Sequence, residues 1–411
     1  MKVAILGTRG IPASYGGFET FAEELSCRMA ARGHEVTVYC RSHHTPKELR
    51  RFRDVRLVVL PTIRRKHTDT LVHTFLSSMH ATTERFDVAL VCNSANSVFV
   101  PLLKLSGAKV ALNVDGLDWK RKKWRWAARS YYRLAEKAAC HLADTIVTDA
   151  ECVRQYYREV HGTPSVFIPY GAPTKPTQTI GALEQFGLEA GKYLLYVSRL
   201  EPENNAHLVI EAFGRLRTQH RLVIVGDAPY AASYKRKLRQ IAGDRVVFTG
   251  YVFGRAYREL MSHADCYVHA TEVGGTHPAL LEAMGMGDGC LVSDTPENRE
   301  VAGDTVMYFS LASVDELASK MQTILDRPEI LQRFAERARA RVRENYDWNH
   351  VTDAYEQLLE ALLEKTSTIK VRGAGERLHE GVLASAARQV VDDRRHVGER
   401  SVSRQLESDV R

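Results

Sequence analysis

Glu272-Val-Gly-Gly-Thr-His-Pro-Ala-Leu-Leu-Glu282-Ala-Met is the stretch on which the reading of this chain turns. Gly274 and Gly275 carry no Cβ, so backbone there can approach a ligand closely. Thr276 or His277 is placed to cap a helix that Pro278 begins, because a missing N–H costs nothing in the first helical turn. Such a helix aims unpaired N–H groups and a partial positive charge at the glycine loop, a setting that suits phosphate. Glu282 follows about two turns later, where a carboxylate can accept hydrogen bonds from sugar hydroxyls. An ordinary capped helix with a surface glutamate explains the segment equally well when it is taken alone.

Around this stretch, short apolar runs alternate with helical pattern from residue 1 to about 350. The first half holds strand candidates at 2–6, 35–40, 55–60, 88–92, 109–113, 145–148 and 165–168. Helical pattern lies between them, notably over 18–32 and along a basic stretch at 119–143. The second half has candidates at 193–197, 221–225, 246–249, 266–269, 289–293 and 306–309. Several runs are nearly continuous Val, Ile and Leu, as in parallel strands covered by helices on both faces. Pro169-Tyr-Gly-Ala-Pro-Thr-Lys-Pro-Thr reads as a linker. The expected architecture is α/β: two doubly wound, Rossmann-like domains at 1–170 and 171–345, facing across a cleft, with ligands at strand carboxyl ends. An amphipathic helix is expected within 346–365, and 366–411 reads as a polar tail, partly helical or disordered.

The 411 residues suit two domains, and 44% hydrophobic with 26% charged residues is ordinary for a soluble globular protein. No apolar run approaches the ~20 residues that span a bilayer. Met1-Lys-Val-Ala-Ile-Leu-Gly reads as a buried strand and not as a signal peptide, so a cytoplasmic location is expected. The seven cysteines lack C-x-x-C spacing and read as reduced residues, mostly of the core. No metal site is expected. The net charge of +7 is compatible with acidic ligands or an anionic membrane face.

Two further loops match the first in character. Gly7-Thr-Arg-Gly-Ile-Pro and Tyr15-Gly16-Gly17-Phe-Glu-Thr lie between the first strand and the first helix, where glycines make room for phosphate. Their spacing is neither the dinucleotide fingerprint nor the P-loop. A flexible glycine turn is the alternative. Arg199 directly follows a second-half strand in Arg199-Leu-Glu-Pro-Glu-Asn204-Asn, where a guanidinium can neutralise a diphosphate. A turn arginine at the surface is the bland reading.

These segments, in this order, resemble the retaining family-four glycosyltransferases of the GT-B fold, and in particular a rhamnosyltransferase-like subgroup. The likeness covers roughly residues 1–360 and includes Asn113-Val-Asp115-Gly-Leu-Asp-Trp-Lys-Arg. It implies transfer of a hexosyl unit from a nucleotide-diphosphate sugar to a saccharide or lipid-linked saccharide acceptor, in cell-surface polysaccharide synthesis. The donor is then a substrate, and no cofactor is required. By the same resemblance Gly16, Gly17 and Arg199 would approach the donor diphosphate. Gly274, Gly275, Thr276 and His277 would meet the sugar and phosphates through backbone N–H groups, and Glu282 would hold a ribose or deoxyribose hydroxyl.

Three departures from the family pattern matter. Asn204 stands where a lysine usually partners the arginine. Glu272 and Glu282 are separated by nine residues where seven are usual, which makes Glu272 an uncertain catalytic match. A histidine usual after one first-half strand is replaced, and Asp115 becomes the candidate for contacting donor sugar or acceptor; an Asp-Gly turn is its alternative.

Residues 120–133 carry seven basic side chains among two tryptophans and two tyrosines. A solvated helix with buried aromatics, an anionic membrane surface and nucleic acid all fit such a run. The lipid-linked acceptors of the resembled family favour the membrane over nucleic acid, which would make this a peripheral protein of the inner face. Mannosyl, glucosyl or galactosyl transfer, a sugar-nucleotide epimerase of shared architecture and a non-catalytic binding protein are the competing readings.

Overall fold

The structure is a computed structural model that describes residues 1–65, 68–121, 126–229 and 231–369, with side chains described to 364. Met1–Leu363 forms one compact unit. Residues from Glu364 form a second, of which only the end of the helix Trp348–Ile369 is described. The rest of the expected tail lies outside the described residues.

Fourteen strands make two sheets among the described residues. The first sheet contains β1 (Lys2–Leu6), β2 (Glu35–Arg41), β3 (Arg51–Phe52), β4 (Val55–Leu60), β5 (Val88–Cys92), β6 (Lys109–Asn113), β7 (Thr145–Thr148) and β8 (Val166–Phe167). Their order is β3-β4-β2-β1-β5-β6-β7-β8, parallel except for β3 against β4. The second contains β9 (Tyr193–Val197), β10 (Arg221–Val225), β11 (Val246–Gly250), β12 (Cys266–His269), β13 (Gly289–Ser293) and β14 (Met307–Phe309), ordered β11-β10-β9-β12-β13-β14 and all parallel. Runs such as Val3–Leu6 and Tyr193–Leu195 are fully buried because helices cover both faces.

Strand order reverses direction beside β1 in the first sheet and beside β9 in the second. At such switch points the loops leaving adjacent strands diverge and open a crevice at the carboxyl ends. Gly7–Gly17 follows β1, Asn93 follows β5, Arg199 follows β9 and the 270–277 loop follows β12. The two crevices face each other within the one compact unit.

Trp348–Ile369 ties the second lobe back onto the first. Gly171 sits against the Trp348 ring, where a Cβ would come within 2.5 Å of the indole. The Tyr355 hydroxyl accepts from Asn113 Nδ2 at 2.8 Å, and Glu356 pairs with Arg32 at 2.7 Å. The linker from 169 holds neither helix nor strand until the helix Gly181–Gln185.

Two local expectations need correction. The two-residue β3 was not foreseen, because so short a segment carries no periodicity. The basic stretch is not one helix from 119: a 3-10 turn covers Asp118–Lys120 and an α-helix runs over Trp126–Leu142, with 122–125 outside the described residues. All seven cysteines are free. No described helix is long and apolar enough to cross a membrane.

Candidate active site

A cavity of about 1170 Å³ lies between the two sheets' carboxyl ends. It is large enough for a nucleotide sugar and an acceptor together. Two helix starts converge on it. The helix Gly17–Ala31 begins at Gly16, and the helix Pro278–Met286 begins at His277; neither receives a side-chain cap. The expectation that Thr276 or His277 caps the second helix is therefore wrong. The Thr276 hydroxyl donates instead to the Asp149 carbonyl. A Cβ on Gly17 would come within 2.8 Å of Pro278 Cγ, so glycine is what lets the two starts meet. Uncapped first-turn N–H groups and two aligned helix dipoles make this corner attractive to an anion.

Arg199 lines the same cavity, half-buried. Among the described residues no carboxylate forms an ion pair with its guanidinium. Asn204 fixes the loop that carries it: Asn204 Nδ2 donates to the Arg199 carbonyl at 2.7 Å, and the Asn204 carbonyl accepts from Tyr196 at 2.6 Å. Asn204 touches the cavity, yet its amide is committed to holding the arginine's backbone.

The loop after β12 is gripped from the opposite lobe. Thr276 N–H donates to Asp149 Oδ2 at 3.0 Å, and Asp149 stands directly after β7. Thr276 N–H is thus engaged by protein and is not offered to a ligand. Gly116 lies against Gly274 and Gly275; a Cβ on it would sit 2.7 Å from the Gly274 carbonyl carbon. Gly275 in turn leaves room for the Asp149 carboxylate. A second interlobe contact complements the first. Glu300 accepts from the N–H groups of Glu151 and Cys152, at 2.5 and 3.0 Å, and so caps the helix Glu151–His161.

Electrostatics differ sharply across the cavity. Asp115, at φ +56°, has its carboxyl pushed up by burial and by Asp118, while Arg121 and Arg199 pull it down. The Tyr170 hydroxyl donates to Asp115 Oδ1 at 3.4 Å. Burial and Asp115 raise Asp149 well above the carboxylate range, eased by the Thr276 N–H. Asp118 pairs with Arg121 at 2.5 Å and also accepts from Asn93 at 2.8 Å. His277 is pushed down to about 3 by burial and by Arg121 and Arg199, so its ring is neutral. It lies 4.7 Å from the His269 ring, which burial also keeps neutral.

Glu282 lines the cavity, and its carboxyl is raised to about 7 by burial, against the Tyr257 hydroxyl that donates to it at 2.5 Å. Glu272 is placed elsewhere. It is not among the residues lining the cavity; Glu272 Oε1 accepts from Asn205 Nδ2 at 3.1 Å, which supports the turn before the helix Ala206–Gly214. Its flanking residues Thr271 and Val273 do line the cavity. Among the described residues no group of His, Cys, Asp or Glu is arranged to hold a metal ion.

The cavity thus gathers Gly16, Gly17, Asp115, Arg199, Asn204, Gly274, Gly275, Thr276, His277 and Glu282 from both lobes. It also contains residues the sequence reading passed over. Arg121 was grouped with the membrane-facing basic run, but it is 8% exposed and faces the cavity. Asp118, three residues before it, was the available signal for that pairing. Asp149, which does not line the cavity but holds its 276 loop, satisfied the same rule that selected Arg199, a polar residue just past a strand's carboxyl end.

Comparison with known proteins follows the same division. Residues 16–171 match the family described as "Glycosyl transferase 4-like domain", and residues 183–341 match "Glycosyl transferases group 1". A GDP-mannose-dependent alpha-(1-6)-phosphatidylinositol dimannoside mannosyltransferase of Mycobacterium tuberculosis is 24% identical over 350 residues, covering 80% of this chain and 88% of that protein. A glycogen synthase of the same species is 31% identical over 173 residues, 40% of this chain and 41% of that one. Among solved structures, a sucrose-phosphate synthase from Thermosynechococcus elongatus superposes with a TM-score of 0.76 at 20% identity, covering 89% of this chain and 99% of that one. Anabaena HepE in complex with UDP-glucose gives 0.72 at 17%, covering 88% and 100%. This chain belongs to the group 1 glycosyltransferases and has the GT-B fold.

Proposed function

We propose that the enzyme transfers a hexosyl unit from a nucleotide-diphosphate sugar to a saccharide or lipid-linked saccharide acceptor, with retention of anomeric configuration. The observation that carries the reading is the convergence of two uncapped helix starts and Arg199 on one cavity. As the glycosidic bond breaks, negative charge develops on the departing diphosphate. Donors fixed in advance at that point stabilise the charge without reorganising, which is where such sites gain most rate. A diphosphate leaves readily, so no general acid is needed beside it. Glu282 would accept from a ribose or deoxyribose hydroxyl. Asp115, facing Arg199 across the gap, would contact the sugar or the incoming acceptor.

Rhamnose from thymidine diphosphate is the proposed donor, on the likeness of the first-half and second-half motifs to the rhamnosyltransferase-like subgroup. Mannose from GDP is the second reading, because one relative, a GDP-mannose-dependent mannosyltransferase, matches over most of both chains. The proposed setting is cytoplasmic, in the synthesis of cell-surface polysaccharide. Turnover of thymidine-, guanosine- and uridine-diphosphate sugars, each with a saccharide acceptor and with none, tests the proposal. Acceptor-dependent release of one nucleoside diphosphate supports it, and the product's anomeric configuration decides retention. Interconversion of the sugar nucleotide without acceptor would instead make the protein an epimerase.

A further inference from the structure

The helix Asp69–Glu84 is turned inside out. Thr74, Ser77 and Ser78 on its inner face are 0–1% exposed, while Phe75 and Met79 on its outer face are 43% and 47% exposed. The three inner hydroxyls have no hydrogen-bond partner among the described residues. In water, a helix is expected to face the other way.

Its neighbours continue the outer pattern. The 3-10 turn Ser94–Phe99 packs against both this helix and the helix Trp126–Leu142, and Val100–Leu105 packs on the same side. Phe75 and Phe99 rings lie 6.0 Å apart. Exposed apolar side chains on these adjoining elements also include Val98, Leu105, Trp126 and Leu134. They hold six of the nine large apolar side chains that stand exposed among the described residues, so the exposure is concentrated on these adjoining elements.

Charge identifies what fits it. Along Trp126–Leu142, Arg129, Arg133 and Lys137 are exposed at successive turns, and the helix's single carboxylate, Glu136, is 1% exposed. Apolar side chains interleaved with unopposed cations match an anionic lipid surface, which accepts both. The same face reaches the cavity. Thr70 and Leu71 begin one helix, Trp126 and Ala127 begin the other, and all four line the cavity with Ala95 between them.

We propose that this composite face seats on an anionic bilayer, and that the acceptor enters from it between Leu71 and Trp126, which makes the acceptor lipid-linked. The inference rests on the glycosyl-transfer reading above and names the acceptor class. It keeps Trp126, Arg129 and Arg133 of the expected 120–133 contact, adds the helix Asp69–Glu84 with its neighbours, and removes Arg121, which is buried in the cavity.

The test uses the full chain with vesicles of phosphatidylcholine alone, and of phosphatidylcholine mixed about 3:1 with phosphatidylglycerol. Binding to the mixed vesicles is expected, weakening with salt. Phe75→Ser with Met79→Ser, and separately Arg129→Glu with Arg133→Glu, should each reduce it by roughly tenfold or more. Both double variants should keep wild-type turnover with a water-soluble saccharide acceptor and lose it with a lipid-linked acceptor in mixed vesicles. Equal binding by wild type and both variants overturns the proposal. So does self-association of the full chain in sedimentation velocity that Phe75→Ser abolishes, which would make the face an interface between copies. If vesicle binding fails while donor turnover persists, this inference falls alone; if no sugar nucleotide turns over, the glycosyl-transfer reading falls whatever the vesicles show.

Discussion

The wall of the cavity built on the second sheet presents Arg199, two neutral histidines and an uncapped helix start. The wall built on the first sheet presents Asp115 and Asp118 with Arg121 buried beside them, and the other uncapped helix start at Gly16, while Asp149 lies behind the lining. Burial holds the carboxyls of Asp115 and Asp149 above their ordinary range on the first side and keeps both histidines neutral on the second. The asymmetry suits a donor whose diphosphate rests on the second lobe while its sugar points toward the first. It also separates two kinds of work. In the proposed mechanism the second wall would stabilise charge directly, while the first lobe holds the second's loop in place through Asp149.

Removing the direct contribution should cost most. Arg199→Ala is expected to lower kcat by roughly 10²–10³-fold, the usual penalty for deleting a preorganised donor to a developing anion. KM for the donor should change far less. Arg199→Lys should restore only part of the loss, because an ammonium cannot present paired N–H donors. Steady-state kinetics check both, and full activity in the alanine variant would remove the arginine from the mechanism.

The indirect contribution should be smaller and different in kind. Asp149→Ala deletes the acceptor for Thr276 N–H and opens space beside Gly275. Loss of about 1–2 kcal/mol of loop positioning corresponds to a fall in kcat of roughly tenfold. Asp149→Asn keeps an oxygen that can accept from Thr276. Burial already disfavours the carboxylate's charge, so the amide should keep most activity. If Asn were as damaging as Ala, the charge of Asp149 would be part of the chemistry and the division of labour between the walls would fail.

These two predictions also mark where the sequence was legible. Val3–Leu6 of β1 and the whole of β9 are unbroken apolar runs followed at once by polar or glycine residues, so strand, carboxyl end and loop could all be read locally. The 274–282 segment is likewise contiguous, and its glycines, proline and glutamate fall where the chemistry needs them. The first wall offers no such contiguity. Asp115, Asp118 and Asp149 meet only because β6 and β7 are neighbours in the sheet, an arrangement that strand order decides and local spacing does not. Arg121 was hidden differently, since a run of cations does not announce which one turns inward. Its i,i+3 relation to Asp118 was visible but ambiguous, as such pairs are common on solvated helices.

pH offers a finer probe of the second wall. Burial raises the Glu282 carboxyl to about 7 against the pull of the Tyr257 hydroxyl. For the protein without donor, the sign follows from that rise. The favourable contribution of the acid form is complete below the ordinary glutamate range and is lost as pH climbs through about 7. Donor affinity should run the other way, strengthening as pH rises through the same region and the carboxylate forms to accept a hydroxyl. Tyr257→Phe removes a hydrogen bond to the ionised form, so the midpoint should move upward by up to about one pH unit. Glu282→Gln should flatten the profile. Calorimetric titration of the donor between pH 5.5 and 8.5 (about one and a half units either side of the midpoint) distinguishes them, and an unmoved midpoint in the phenylalanine variant would disconnect Tyr257 from donor binding.

The smallest effect is expected at Glu272, and it bears on how the two walls were told apart. Sequence spacing made this glutamate a candidate partner of Glu282, yet its carboxylate turns to Asn205, whose amide also donates to the Ala270 carbonyl at 3.0 Å. That cluster braces the turn at Asn205, a residue held at φ +56°, and so steadies the segment leading from Arg199 into the next helix. Glu272→Gln preserves an oxygen acceptor of the same length, and kcat should stay within about twofold of wild type. Glu272→Ala removes the acceptor and should lower stability by about 1 kcal/mol, read as a fall in the denaturant midpoint, with kcat affected less than by Asp149→Ala. A collapse of turnover in the glutamine variant, with folding intact, would make Glu272 a second functional carboxylate of the second wall beside Glu282. The second wall would then contribute a carboxylate's chemistry as well as charge stabilisation, and the division of labour between the walls would fail.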